Sequence, residues 1–221
     1  MRPVLCMVTD RRRAFHQAAG GAAHHEDLED ALVRSVVLAA RAGIDLVQVR
    51  ERDLEGAALT RVLSRCVGAV AGTRTRVLVN DRLDCALAAG AHGVHLPGHG
   101  VAASRVRHIV PRGFLIGRSV HDASEAARVT GEGGLDYLVF GTVFPTPAKA
   151  DVAPAGLRGL AAAAAATPLP VLAIGGVTVD RANEVARTGA AGVAAIGMFA
   201  DACAHGIDSL EALVAQWARQ W

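Results

Sequence analysis

PVLAIGGVTVDRANEVARTGAAGVAAIGMF, residues 170–199, reads as a buried strand, a glycine turn, a helix, a second buried strand and a further glycine turn. Val171–Ile174 is a short apolar run of the kind that a parallel sheet buries on both faces. Gly175 and Gly176 let the backbone turn sharply there while its amides stay uncovered. Thr178 suits an N-cap and Asp180 a first helical turn, and Ala182, Val185 and Ala186 give the helix an inward stripe. Gly189 ends that helix, Val193–Ile196 forms the next strand, and Gly197 repeats the open turn. Two neighbouring parallel strands that both end in uncovered amides make a cradle for a phosphate dianion; in the plainer reading these glycines only make tight turns.

Outward from this stretch the same unit recurs: a helix, a glycine, then a strand two or three residues later. The glycines stand at positions 43, 90, 134 and 189, and each interval is long enough for two strand–helix units. Val77-Leu-Val, Leu115-Ile-Gly and Val171-Leu-Ala-Ile supply the strands between them, and Val4–Val8 the first. Helical periodicity fills the gaps, with Leu28, Ala31, Leu32, Ser35, Val36 and Ala39 on one face, Leu59, Val62, Leu63, Cys66, Val67 and Val70 on another, and Leu210, Leu213, Val214 and Trp217 near the end. The expected fold is therefore α/β, a single (β/α)8 TIM barrel around an eight-stranded parallel sheet. A doubly wound open sheet is the weaker alternative, because no GxGxxG follows the first strand.

A length of 221 residues fits one barrel domain over 1–221, with a polar connection near 11–27 read as a mobile loop. Within it, Arg11-Arg12-Arg13 reads as a solvated face, and His24 and His25 lack partners at metal spacing. The residues are 52% hydrophobic but only 4% aromatic, which suits alanine-rich helices packed closely on a sheet. A net charge of +2 implies neither nucleic acid nor an anionic membrane as partner. Cys6, Cys66, Cys85 and Cys203 form no CxxC pair and read as packed, reduced thiols of a cytoplasmic protein; neither a signal segment nor a membrane span is expected.

In a parallel barrel the chemistry lies at the carboxyl ends of the strands. After the second strand, alternation aims Gln48, Arg50 and Arg52 to one side, two guanidiniums suited to phosphate oxygens; a surface salt-bridge set with Glu51 and Asp53 is the plainer reading. After the third come Asn80 and Asp81, the latter an N-cap, a magnesium ligand or an orienter of a neighbour. After the fourth, His95 and His99 flank a Pro-Gly loop, and a lone strand-end histidine is more often structural than catalytic. The fifth ends in Arg118-Ser119-Val120-His121, with a helix beginning near Asp122 and His121 a candidate for proton transfer. After the sixth, a glycine and hydroxyl loop runs to Lys149, which either closes on an anion or is an ordinary surface lysine.

VQVRERDL, LVNDRLDCALAAGAHGVHLPG, IGRSVHDASEA, DYLVFGTVFPTPAKAD and the stretch quoted first, taken in this order, resemble the thiamine phosphate synthase/TenI superfamily. The resemblance covers Val4 to Phe199 and implies a (β/α)8 barrel that handles a thiazole phosphate. In the synthase branch it implies a diphosphate grip of Gln48, Arg50, Arg52, Asn80, Ser119 and Lys149, with Mg2+ held in part by Asp81. Three features depart from that branch: Gly100 stands where a second metal carboxylate is usual, REK reads RER, and TxTK reads TPAK. VHLP and GRSVH look like the TenI branch, a metal-free thiazole tautomerase whose catalytic histidine corresponds to His121. The expectation is accordingly a TenI-like tautomerase, an isomerase needing no cofactor, with Gly175, Gly176 and Gly197 on the substrate's phosphate. The alternatives are an Mg2+-dependent synthase and a non-catalytic phosphate-ligand-binding protein; a homodimer is compatible with each.

Overall fold

The structure, a computed structural model, describes residues 2–13 and 25–221. Eight parallel strands close into a barrel in sequence order: β1 (Val4–Val8), β2 (Leu46–Val49), β3 (Arg76–Asn80), β4 (Gly93–Leu96), β5 (Leu115–Val120), β6 (Tyr137–Phe140), β7 (Val171–Ile174) and β8 (Gly192–Ala195). Closure excludes the open-sheet alternative and bears out the (β/α)8 architecture. The helices are α1 (His25–Ala42), α2 (Gly56–Ala69), α3 (Leu83–Ala88), α4 (Ala103–Arg107), α5 (Ala123–Gly131), α6 (Gly156–Ala165), α7 (Ala182–Ala186), α8 (Gly197–Ala204) and α9 (Ile207–Gln220). Most of the connection read as a mobile loop, residues 14–24, lies outside the described residues.

The repeating glycines do what the pattern requires. Gly43, Gly90, Gly134 and Gly189 all have positive φ, between 66° and 87°, where a side chain would be strained and glycine is not. Every residue of β2, β4 and β6 is buried, so these short strands read as apolar runs rather than alternations.

Packing divides the chain into two compact units. One comprises Cys6–Val94 and Ala195–Gln216. Within it β2 lies between β1 and β3, in register Met7↔Val47 and Val47↔Val77. Ala31, Leu32, Val36 and Ala39 of α1 and Leu59, Val62, Leu63 and Cys66 of α2 are buried as their spacing predicts. The other is built on His95–Ala194 with the chain's two ends. There β5, β6, β7 and β8 pair in turn, with Ser119↔Val139, Val139↔Leu172 and Leu172↔Gly192 in register. The alanine-rich run ends α6, with Leu160 and Ala163 buried.

Candidate functional site

In the first unit the β2 end is organised by an ion network that sequence reading missed. Arg11, expected in a solvated run, is 1% exposed. Its guanidinium donates to Glu51 at 2.9 Å and to both oxygens of Asp53 at 2.7 and 2.9 Å. Glu51 also accepts from the Thr9 hydroxyl at 2.6 Å, and that hydroxyl accepts from the Arg50 amide at 3.0 Å. Glu51 and Asp53 thus turn to Arg11, against the salt-bridge reading, and among the described residues Arg50 and Arg52 have no ion-pair partner. Burial, then the neighbouring charge of Arg52, lowers the pKa of Arg50. Two guanidiniums that repel one another, with Asp10 and Glu51 near Arg50 but no close ion pair among the described residues, form a local field suited to an anion.

Gln48 is buried in β2, and its side-chain amide donates to Asn80 Oδ1 on β3 at 3.1 Å. Asp81 follows at a φ of 66°, the one described non-glycine residue in that region. It does not cap α3: the N-cap position is Arg82, and no side chain bonds the helix amides there. What remains is an exposed carboxylate held on a strained backbone, an arrangement that recurs at ligand sites. Gly197 is not in a turn but begins α8, a helix with no side-chain cap. Its first-turn amides are therefore orphan donors, the same chemistry by another route. Arg13 lies over it, within 3.0 Å of where a Cβ would stand, and clasps Asp201 through 2.9 and 3.0 Å bonds.

In the second unit His95 is buried between two hydroxyls, with Nδ1 3.2 Å from Tyr137 Oη and Nε2 2.9 Å from Ser119 Oγ. Arg118, also buried, donates to the carbonyls of Gly98, Gly100 and Val101, so the Pro-Gly loop after β4 is stapled in place. His121 is just past β5, its side chain 54% exposed and its Nδ1 3.3 Å from Glu125. Asp122 caps α5 through the Glu125 amide, at the helix start expected near it. Lys149 ends a short helical turn and is exposed. Gly175 and Gly176 have φ of 96° and 62°, and among the described residues their amides donate to no backbone acceptor. A Cβ on Gly176 would fall 2.4 Å from the Pro145 carbonyl oxygen, so glycine is required by the turn itself as well as by any anion. Thr178 occupies an N-cap position without making a side-chain bond.

Among the described residues no three His, Cys, Asp or Glu side chains come together to hold a metal. At Gly100 an added Cβ would already touch Pro97, 3.0 Å from its Cδ. Missed partners share a cause: Arg11 and Glu51 are 40 positions apart, and His95 and Tyr137 are 42. The available signal was the RERD run itself, whose carboxylates need partners that its own arginines, aimed elsewhere, do not supply.

Fold and strand ends define a (β/α)8 barrel with polar side chains at the carboxyl edge of its sheet. A family model described as thiamine monophosphate synthase matches residues 22–199, and the chain belongs to that family. It is 41% identical over 160 residues to a thiamine-phosphate synthase of Methanoculleus marisnigri, covering 72% of this chain and 75% of the relative. A thiamine-phosphate synthase of Methanoregula boonei is 36% identical over 197 residues, 89% of this chain and 85% of its own. Among solved structures, thiamine phosphate pyrophosphorylase from Pyrococcus furiosus superposes with a TM-score of 0.77 at 29% identity, covering 96% of both chains.

These findings overturn the tautomerase expectation. The relatives bear the name of a transferase, not of an isomerase. The expectation rested on short stretches, the departures RER, Gly100 and TPAK and the likeness of VHLP and GRSVH to the TenI branch, while the Gln48–Asn80 pair remains assembled. Loops vary more readily than the elements that carry them, so these departures weigh less than likeness along the whole chain. The proton role implied for His121 belonged to the tautomerase branch.

Proposed function

We propose that this chain is a thiamine-phosphate synthase, joining hydroxymethylpyrimidine diphosphate to thiazole phosphate with release of pyrophosphate. The observation that carries the reading is the Gln48–Asn80 bond beside two arginines that have no ion-pair partner among the described residues, in a chain whose relatives bear that name. In the reaction the bond from the pyrimidine methylene to the diphosphate oxygen breaks and pyrophosphate leaves with the electron pair. The thiazole nitrogen supplies the pair for the new carbon–nitrogen bond.

Each group has a task that its contacts support. Because Gln48 donates to Asn80 Oδ1, both protons on Asn80 Nδ2 stay available for diphosphate oxygens. Arg50 and Arg52 meet the charge that grows on the leaving group, and Ser119 and Lys149 are further donors. The amides of Gly175 and Gly176 take the thiazole phosphate. Magnesium, when bound, supplies positive charge to the departing pyrophosphate. From the protein, the exposed Asp81 carboxylate would hold an ion that arrives with the diphosphate, since magnesium uses one or two carboxylates beside substrate oxygens.

The reading also takes residues 1–221 as one domain in the reducing cytoplasm, a state with which a homodimer is compatible. All four cysteines are unpaired and buried, and burial pushes Cys6 and Cys66 up to about 12, which makes them inert thiols. Among the described residues no helix is long and apolar enough to cross a membrane.

The test is purified protein with both precursors and Mg2+, with thiamin phosphate measured by chromatography. Product is expected, and Arg50→Ala should lower kcat/KM for the diphosphate about 10²- to 10³-fold, the loss usual for a donor aimed at developing charge. A folded protein that forms no product removes the proposal.

A further inference from the structure

We infer that Tyr137, acting through His95, sets Ser119 as a hydrogen-bond donor toward the diphosphate, an inference that rests on the synthase reading. The three side chains form one line of contacts, Tyr137 Oη to His95 Nδ1 at 3.2 Å and His95 Nε2 to Ser119 Oγ at 2.9 Å. A neutral imidazole carries a single N–H, so the two bonds must run in the same sense around the ring. In one sense Nε2 accepts, the only proton of Ser119 is used on His95, and an anion would meet the hydroxyl's lone pairs. In the other sense Nε2 donates and the Ser119 proton is released. A diphosphate oxygen is an acceptor, so binding selects the second sense. Tyr137 O–H then donates to Nδ1, Nε2–H donates to Ser119 Oγ, and Ser119 O–H donates to the phosphate.

The position of Tyr137 is built into the barrel. A Cβ on Gly117 would lie 2.1 Å from Tyr137 Cζ and 2.5 Å from its hydroxyl, so the phenol lies where only glycine leaves room. His95 is 3% exposed, and its ring centroid is 5.7 Å from that of Tyr137. Tyr137 and His95 act through Ser119 and are positioning residues.

Histidine 15N NMR on the unsubstituted protein saturated with inorganic pyrophosphate at pH 8, well above the ordinary imidazole pKa of about 6.5, should find the His95 proton on Nε2. A proton on Nδ1, or on both nitrogens, overturns the inference. Calorimetry with inorganic pyrophosphate is the second arm. Ser119→Ala is expected to weaken binding about 10-fold or more, and Tyr137→Phe about 3- to 10-fold, as for a bond to a charged group and its orienter. The double variant should bind no more weakly than Ser119→Ala alone, with thiazole phosphate affinity within about twofold throughout. Independent, multiplying losses overturn the inference, because a merely structural tyrosine would act without Ser119. Should Tyr137→Phe fail to fold, the NMR result decides. Product formation is scored separately. Turnover with a proton on Nδ1 rejects this inference and leaves the synthase reading standing. A proton on Nε2 with coupled pyrophosphate losses but no product supports the donor chain and rejects the synthase reading.

Discussion

The end of β2 is held by charge, and the end of β5 by a neutral line of two hydroxyls and an imidazole. In the first, Arg11 joins Glu51 and Asp53, and Thr9 passes the order on to the Arg50 amide. In the second, His95 joins Tyr137 to Ser119. Both hold a side chain or amide near residues proposed to meet a diphosphate, yet their energetics differ. Removing one partner of a buried ion pair strands the other charge, at about 3–5 kcal/mol. Loss of one neutral hydrogen bond costs about 0.5–1.5 kcal/mol. Charge here makes a stability element that also orients; the neutral line tunes a donor with little hold on the fold.

The sharpest way to break that contrast is to cut each network once. Glu51→Ala leaves the Arg11 guanidinium buried beside only the half-exposed Asp53, and removes the acceptor of Thr9. We expect a loss of about 3–5 kcal/mol in urea unfolding, against no more than about 1.5 kcal/mol for Tyr137→Phe. Equal losses would erase the distinction. If residues 1–221 are one domain, both variants should still unfold in a single transition.

A smaller effect probes the neutral line by crowding it. Gly117→Ala puts a methyl group 2.1 Å from Tyr137 Cζ, so the ring or the strand must move. Overpacking of this kind costs about 1–3 kcal/mol, and the cost should largely vanish when Tyr137 is already Leu. Additive losses in the Gly117→Ala/Tyr137→Leu pair would show that the ring is not what fills the space.

The barrel was legible because its signals are local. Apolar runs such as Val171–Ile174 and glycines such as Gly43 and Gly189 each report their own backbone, and the structure has them where the pattern put them. The site was legible in part. Gln48 and Asn80, which the resemblance groups in one grip, are hydrogen-bonded to each other, but Arg11 looked like one of three surface arginines. Nothing within ten residues of Arg11 distinguishes it from Arg12; its burial is decided by Glu51 and Asp53, on another strand end. Gly197 shows the reverse error, since GMFADACA carries no capping residue and α8 was read as a turn. The branch was misjudged for a related reason: a few short motifs were given more weight than likeness along the whole chain.

The least of the expected effects tests whether the charge network extends to its rim. Asp53 accepts from Arg11 and from Arg12 but is 40% exposed, unlike Glu51 at 4%. The hydrogen bond from Arg11 holds the Asp53 carboxyl down to about 2, below the ordinary aspartate value of about 3.9. A depressed carboxylate stabilises the fold above its unfolded pKa and loses that contribution as pH falls toward its folded one. The stability gap between the unsubstituted protein and Asp53→Asn should therefore be constant from pH 7 to about 5, shrink below about 4 and be nearly gone near 2. Asp84, also held down to about 2 by Arg82, titrates in the same window, and comparison with Asp53→Asn cancels it. Because water reaches the Asp53 pair, 1 M salt at pH 6 should narrow the gap as well, whereas the Glu51→Ala loss should barely respond. Urea midpoints across this pH and salt grid provide the measurement. A gap for Asp53→Asn that is as large as that of Glu51→Ala and indifferent to salt would mean that rim and centre are one buried network, and that the contrast with the neutral line runs wider than the exposure of Asp53 implies.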